Sequence, residues 1–252
     1  MKAPLPVVVR GWRAWAPTLE GAPLETPEDW RAWSRAPVAL GSEGQPEVRF
    51  LPAGVRRRAT RLTRLALQVA FDCTEDTDRS QVRTVFASRH GAIHVAVQIL
   101  ASIARKEAVS PLQFSHSVHN AQAGLFSIAT GNREASSSIA AERDTFGHGF
   151  LESVLLLERA PEQEVLLVIA DEPIPANLRH LVQEPETAYA MALLLARDGE
   201  GVRLEFGLDA SRAPRKEREW PDALEFVRFL ASDAAELSLE AGRRRWTWRK
   251  HP

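Results

Sequence analysis

Two histidines, His116 and His119, stand three residues apart, and Asn120 follows the second. Near a helix start that spacing lets both imidazoles share a face and hold a metal ion. No acidic or cysteine ligand follows at helical spacing, so no metal is expected. A second group centres on Asp144, which precedes Thr145-Phe146-Gly147-His148-Gly149 and opens a helix. An aspartate there ordinarily accepts from the first-turn N–H groups as an N-cap. The chemical alternative is acid–base work by Asp144 with His148 or His119. Gly147 and Gly149 read as sites of close packing. Ser136-Ser137-Ser138 lacks the Gly-x-Ser-x-Gly turn that would raise a nucleophilic serine, and reads as a strand. No glycine-rich phosphate loop is present, so neither a nucleotide nor any other cofactor is expected. Two basic clusters remain: Arg56, Arg57, Arg58, Arg61 and Arg64, and the tail Arg243, Arg244, Arg245, Arg249 and Lys250. Such runs are ordinarily solvated faces; docking of an acidic partner is the alternative.

The elements that must position these groups follow from periodicity. Composition is that of a soluble globular protein, with 44% hydrophobic and 26% charged residues in a chain of 252. The net charge of -1 gives no field that would draw nucleic acid. The single cysteine, Cys73, excludes an internal disulfide and suits a reducing compartment. From Met1 onward there is no signal-like segment and no run of membrane-spanning length, so the expectation is a cytoplasmic chain. One domain over 1–252 is expected, in three stretches. Residues 1–52 are rich in Trp and Pro, with a strand at Val7-Val8-Val9, a helix capped by Thr26, and tryptophans that pack rather than stack on ligands. Residues 53–210 form an α/β body. Leu62, Leu65, Val69 and Cys73 share one helical face, which makes Cys73 a packed core thiol. A strand Val82–Ala87 precedes a helix Ala92–Lys106 with Ile93, Ala96, Val97, Leu100 and Ala104 inward and Pro111 as its stop. A helix over Ser117–Ile128, a strand at Ser136–Ala140 and a helix Asp144–Arg159 come next. Val165–Ala170 is a strand covered on both faces, and Ala188–Ala196 with Val202–Leu208 reads as an antiparallel hairpin. Residues 211–252 contribute a loop with Pro214 and Pro221, a helix from Asp222 to Leu230, and a hairpin bearing Leu237, Leu239, Trp246 and Trp248. The whole reads as an α/β fold with a mixed sheet and helices on both faces.

The stretch Phe114-Ser115-His116-Ser117-Val118-His119-Asn120-Ala121-Gln122-Ala123-Gly124, then Ser127-Ile128, Gly131 and the apolar strand ending Ala170-Asp171-Glu172, resembles the ketosynthase family of the thiolase superfamily. It is most similar to the short ketosynthase-like proteins called chain length factors, found with aryl polyene and xanthomonadin-type pigment pathways. The resemblance implies a thiolase-like fold, in essence the N-terminal half of a ketosynthase. It puts Ser115, His116, His119, Asn120 and His148 at an acyl pocket or subunit interface, and it makes a carrier protein the acidic partner that Arg57, Arg61 and Arg64 would dock if they are not simply a solvated face. The family nucleophile is a cysteine at the head of a buried helix, and here that position falls on Arg143 or Asp144. The two histidines of a ketosynthase's second half have no counterpart. The implied function is a non-catalytic partner of an active ketosynthase in polyketide or fatty-acid-like chain building, as a heterodimer or homodimer, with an acyl carrier protein as further partner. The competing reading is a small acyl-thioester enzyme using Asp144 and His119 or His148. Finally, Phe146, Phe150, Leu151 and Val154 to Leu157 make the Asp144–Arg159 helix apolar on nearly all sides. A single half-fold supplies one sheet to cover it, so a partner subunit is expected over its other side.

Overall fold

A computed structural model describes residues 5–182, 187–210, 218–241 and 244–251. Among them, eight strands form one sheet in the order β3-β2-β4-β5-β1-β6-β8-β7. The strands are β1 (Leu5–Trp15), β2 (Arg83–Ala87), β3 (Ser136–Ile139), β4 (Val165–Asp171), β5 (Tyr189–Ala196), β6 (Val202–Ala210), β7 (Glu236–Ala241) and β8 (Arg244–Lys250). β3, β2 and β4 run parallel and the other pairings are antiparallel, which makes the sheet mixed as expected.

Strand alternation sends side chains to two cores. Val165, Leu167 and Ile169 of β4 face a core built from α1 (Pro27–Arg35), α7 (Thr145–Arg159) and α8 (Asp222–Ala231). Leu166, Val168 and Ala170 face the opposite core, under α3 (Arg61–Cys73) and α6 (Ala121–Thr130). A strand covered on both sides can be apolar at every position, and each residue of β4 is buried. Cys73 lies in this second core, where burial pushes its thiol up to about 12. The tryptophans pack: Trp30 and Trp33 are buried edge to face, and Trp30 Nε1 donates to the Ala14 carbonyl at 2.9 Å. Thr26 caps α1 reciprocally, its Oγ1 accepting from Asp29 N while Asp29 Oδ2 accepts from Thr26 N.

The structure corrects several expectations. β1 extends well past Val9 because a bulge between Val9 and Gly11 shifts its register. The bulge inverts the parity, so Val7 and Val9 share a core with Ala14. β5 and β6 are the expected strands but do not pair with each other, because β1 lies between them. Gly201 explains the tight return into β6: its φ is +139°, and a Cβ there would stand 2.4 Å from the Val9 carbonyl oxygen. Pro111 starts a helix rather than only stopping one. It sits at the first position of α5 (Pro111–Ser117), where the missing N–H is harmless and Ser110 supplies the cap. Arg58 ends a short helix α2 (Ala53–Arg58), and Thr60 then caps α3. In α4 (Ile93–Ala104) the buried residue is Ile99, while Leu100 is 64% and Ile103 56% exposed. The largest correction concerns α7. Phe146 and Phe150 pack against Phe226 of α8 and Trp248 of β8. The chain's own C-terminal helix and hairpin therefore cover the side that was expected to need a partner. Pro214 and Arg243 lie outside the described residues.

Candidate functional site

The carboxyl ends of the three parallel strands carry the polar groups. β3 ends at Ile139, and the chain then turns sharply through Ala140 and Ala141 into a single 3-10 turn, Glu142–Asp144, that runs into α7. Glu142 has a φ of +48°, a conformation costly for a side chain with a Cβ. Thr145 holds it there. Its buried Oγ1 accepts from Ala141 N at 3.0 Å and donates to the Glu142 carbonyl at 2.7 Å. A strained strand-to-helix turn heading a buried helix is the geometry that presents a nucleophile. Here it presents Glu142 and Arg143, both exposed, and Asp144. Sequence reasoning named Arg143 and Asp144 and missed Glu142, because positive φ leaves no mark in a Glu-Arg-Asp string.

Asp144 occupies the N-cap position of α7 but makes no capping bond. Its carboxylate pairs with Arg244 at 3.2 Å, with 15% of the side chain exposed, and Thr145 satisfies the turn instead. That corrects the expected cap. His148, one turn on, is half-buried and edge-on to the Trp246 ring at 5.2 Å. Burial and the Arg244 charge lower its pKa, and Asp144 opposes them.

A second polar group lies at the ends of β2 and β4, built around Asp171, which is buried. Asp171 Oδ1 accepts from Ser88 Oγ at 2.7 Å and from Arg89 N at 2.9 Å, and Oδ2 accepts from Tyr189 OH at 3.1 Å. Desolvation raises the pKa of this carboxyl, against those hydrogen bonds. His119 Nε2 meets the Ser88 carbonyl at 2.9 Å, so His119 is engaged with this turn. Glu172 is buried beside Arg61, at 3.6 Å. Sequence reasoning did not foresee the Ser88–Asp171–Tyr189 cluster, although an acid closing an unbroken apolar strand is the available signal.

The remaining candidates spread over α5 and its neighbours. Ser115 is exposed and donates to the Leu112 carbonyl at 2.8 Å; Asn120 is exposed at the start of α6. His116 is half-buried, its Nε2 lacks a hydrogen-bond partner among the described residues, and burial with nearby Arg58 lowers its pKa. No cluster of three or more metal-ligating side chains occurs among the described residues. Arg61 Nε donates to the Gly44 carbonyl at 2.8 Å and Arg64 Nη2 to the Arg56 carbonyl at 2.8 Å, so Arg61 ties the N-terminal segment to α3 and Arg64 ties α2 to α3. Arg64 also lines an open cleft of about 480 Å³ with Arg49, Arg56 and the exposed Arg57. In the tail, Arg245 and Arg249 of β8 pair with Glu240 and Glu236 of β7, the edge strand beside it. No helix among the described residues is long and apolar enough to cross a membrane.

A mixed sheet with a buried helix entered by a strained turn from a parallel edge strand defines a thiolase-like fold. Residues 30–249 match the family described as beta-ketoacyl synthase, N-terminal domain, and the chain belongs to that family. It is similar to a chain in the structure of the ketosynthase ApeO in complex with its chain length factor ApeC from Xenorhabdus doucetiae. That match has 28% identity and a TM-score of 0.82, and covers 97% of this chain and 99% of the other. The fold also matches the ishigamide ketosynthase/chain length factor at 16% identity and a TM-score of 0.65, over 82% of this chain and 67% of that one. A third match is a chain in the AntDE:AntF structure, a type II polyketide synthase acyl-carrier protein in complex with its ketosynthase, at 13% identity and a TM-score of 0.61, over 83% of this chain and 70% of the other. No curated protein matches the chain.

Proposed function

We propose that the chain is a non-catalytic, chain-length-factor-type partner of a ketosynthase, acting in the cytoplasm in aryl polyene-like chain building. The carrying observation is the turn at the head of α7. Where a condensing enzyme needs a thiolate, this turn holds Glu142, Arg143 and Asp144, and the one cysteine is a core thiol pushed up to about 12. The Xenorhabdus match supports the reading: near-complete coverage of both chains makes them almost equal in length, within a ketosynthase–chain length factor complex.

A surface consistent with the partner role lies on α4 to α6. Leu100, Ile103, Leu112, Phe114 and Ile128 are exposed there, and β3 leaves one edge of the sheet open beside them. Apolar side chains gathered in this way mark an interaction surface. The arginine cleft at Arg49, Arg56, Arg57 and Arg64 suits an acidic carrier protein. Against the acyl-thioester enzyme, Asp144 is engaged by Arg244 and His119 by a backbone carbonyl. The test is co-expression with an active ketosynthase from the same host, followed by condensation assays on carrier-bound substrates. Activity is expected only for the pair and should survive Asp144→Ala with Glu142→Ala. Turnover by the isolated chain that these substitutions abolish would falsify the non-catalytic reading.

A further inference from the structure

The first turn of α6 carries a buried amide. Gln122 is 4% exposed, and its Nε2 has no hydrogen-bond partner among the described residues. An amide donor withdrawn from water without a new partner destabilises a fold, so its surroundings should supply one. Gln122 lines a cavity of about 10 Å³ with Ser88 and His119, floored by Leu62, Phe86 and Val168. That volume admits one water molecule and nothing larger. The polar side of the cavity is well organised. Ser88 Oγ donates to Asp171 and accepts from Gly91 N at 2.9 Å, which fixes the turn after β2. The Ser88 carbonyl meets His119 Nε2, and a carbonyl oxygen has a second lone pair to offer.

We propose that this cavity binds one structural water, which accepts from Gln122 Nε2 and donates to the Ser88 carbonyl. The water extends the Tyr189–Asp171–Ser88 network to the start of α6. It thereby fixes the His116–Asn120 segment against the end of β2. This ligand is water rather than an apolar group because the cavity is of water size and Gln122, which lines it with Ser88 and His119, carries a buried donor without a partner among the described residues.

Two measurements on the full chain decide it. Water-selective NMR on the wild type should show cross-peaks between the Gln122 side-chain amide and a long-lived water, lost in Gln122→Met. Gln122→Met keeps the length of the side chain and removes the donor, and its melting temperature should fall by about 2–4 °C. A variant that melts at or above the wild type means that the amide is buried dry at a net cost, which overturns the proposal. So does a wild-type amide that shows no water contact.

Discussion

A methyl group on Gly147 would sit 2.3 Å from Cε2 of Trp246, whose ring is 1% exposed and has nowhere to retreat. Gly147→Ala should therefore lose at least about 1–3 kcal/mol, the usual cost of overpacking, read by urea unfolding. The neighbouring turn separates two residues that look alike in sequence. Asp144→Ala removes a partly exposed ion pair and should cost below about 1 kcal/mol. Thr145→Val deprives Ala141 N of its acceptor in a partly buried hydrogen bond and should cost about 1–2 kcal/mol. A larger loss for Asp144→Ala than for Thr145→Val in chemical denaturation would show that Asp144, and not Thr145, holds the turn. Asp171 gives a pH signature. Burial raises its folded pKa above the ordinary 3.8, so the native state holds the proton more tightly than the unfolded chain. The stability it contributes is present below pH 3.8 and is lost as pH rises through the folded value. His90, Tyr189 and the neighbouring Glu172 share this environment, and Glu172 is raised in the same direction, with Arg61 and His94 opposing. Asp171→Asn removes the titration, so its stability relative to wild type should climb from pH 4 to pH 7; a flat difference refutes the buried acid.

The elements legible in sequence were those whose pattern and covering agree. β4 and α7 stand where apolar runs put them, and Thr26-Pro27-Glu28-Asp29 caps α1 as its residue types require. Pairing was less legible. The β5–β6 linker carries hairpin residues, yet β1 enters between those strands, because turn chemistry cannot report a strand that arrives from far along the chain. α4 misled for a different reason: an apolar face was read as a buried face, and Leu100 lies open. At the site, Ser115 to Asn120 were singled out by their position in sequence, and the fold spreads them over α5 and the start of α6, where His119 reaches the turn after β2. The Asp171 cluster was not legible, since Ser88, Asp171 and Tyr189 meet only through strand register. The C-terminal hairpin is integral to the core, and Lys250 shows how it is fastened. Its Nζ donates to the Phe229 carbonyl at 2.8 Å and the Ser232 carbonyl at 2.6 Å, closing the C-terminus of α8. Lys250→Met should cost about 1–2 kcal/mol in thermal unfolding; no loss would mean that water serves those carbonyls equally well.

For the whole molecule, self-coverage of α7 moves the case for a partner elsewhere. Most of α7 is covered, with Leu155 left exposed, and a larger group of exposed apolar side chains lies on α4 to α6. Leu100→Glu with Ile103→Glu should leave circular dichroism and the melting temperature nearly unchanged, because both side chains already face solvent. The same double variant should lose co-purification with the ketosynthase. Retained pairing would place the interface on another face. The position of β1 carries a further consequence, for synthesis. Val8 faces Ala196 on one side and Arg203 on the other, so β1 leaves the ribosome long before both its neighbours and meets them only when the chain out to those residues has followed. Until then a β-branched run, Val7-Val8-Val9, travels with both edges bare. Closure over so long a separation is slow, and nascent chains stopped before Ala196 should remain protease-sensitive and dependent on chaperones. A ribosome that pauses before Ala196 thus holds β1 without either neighbour, even where β2, β3 and β4 have already paired.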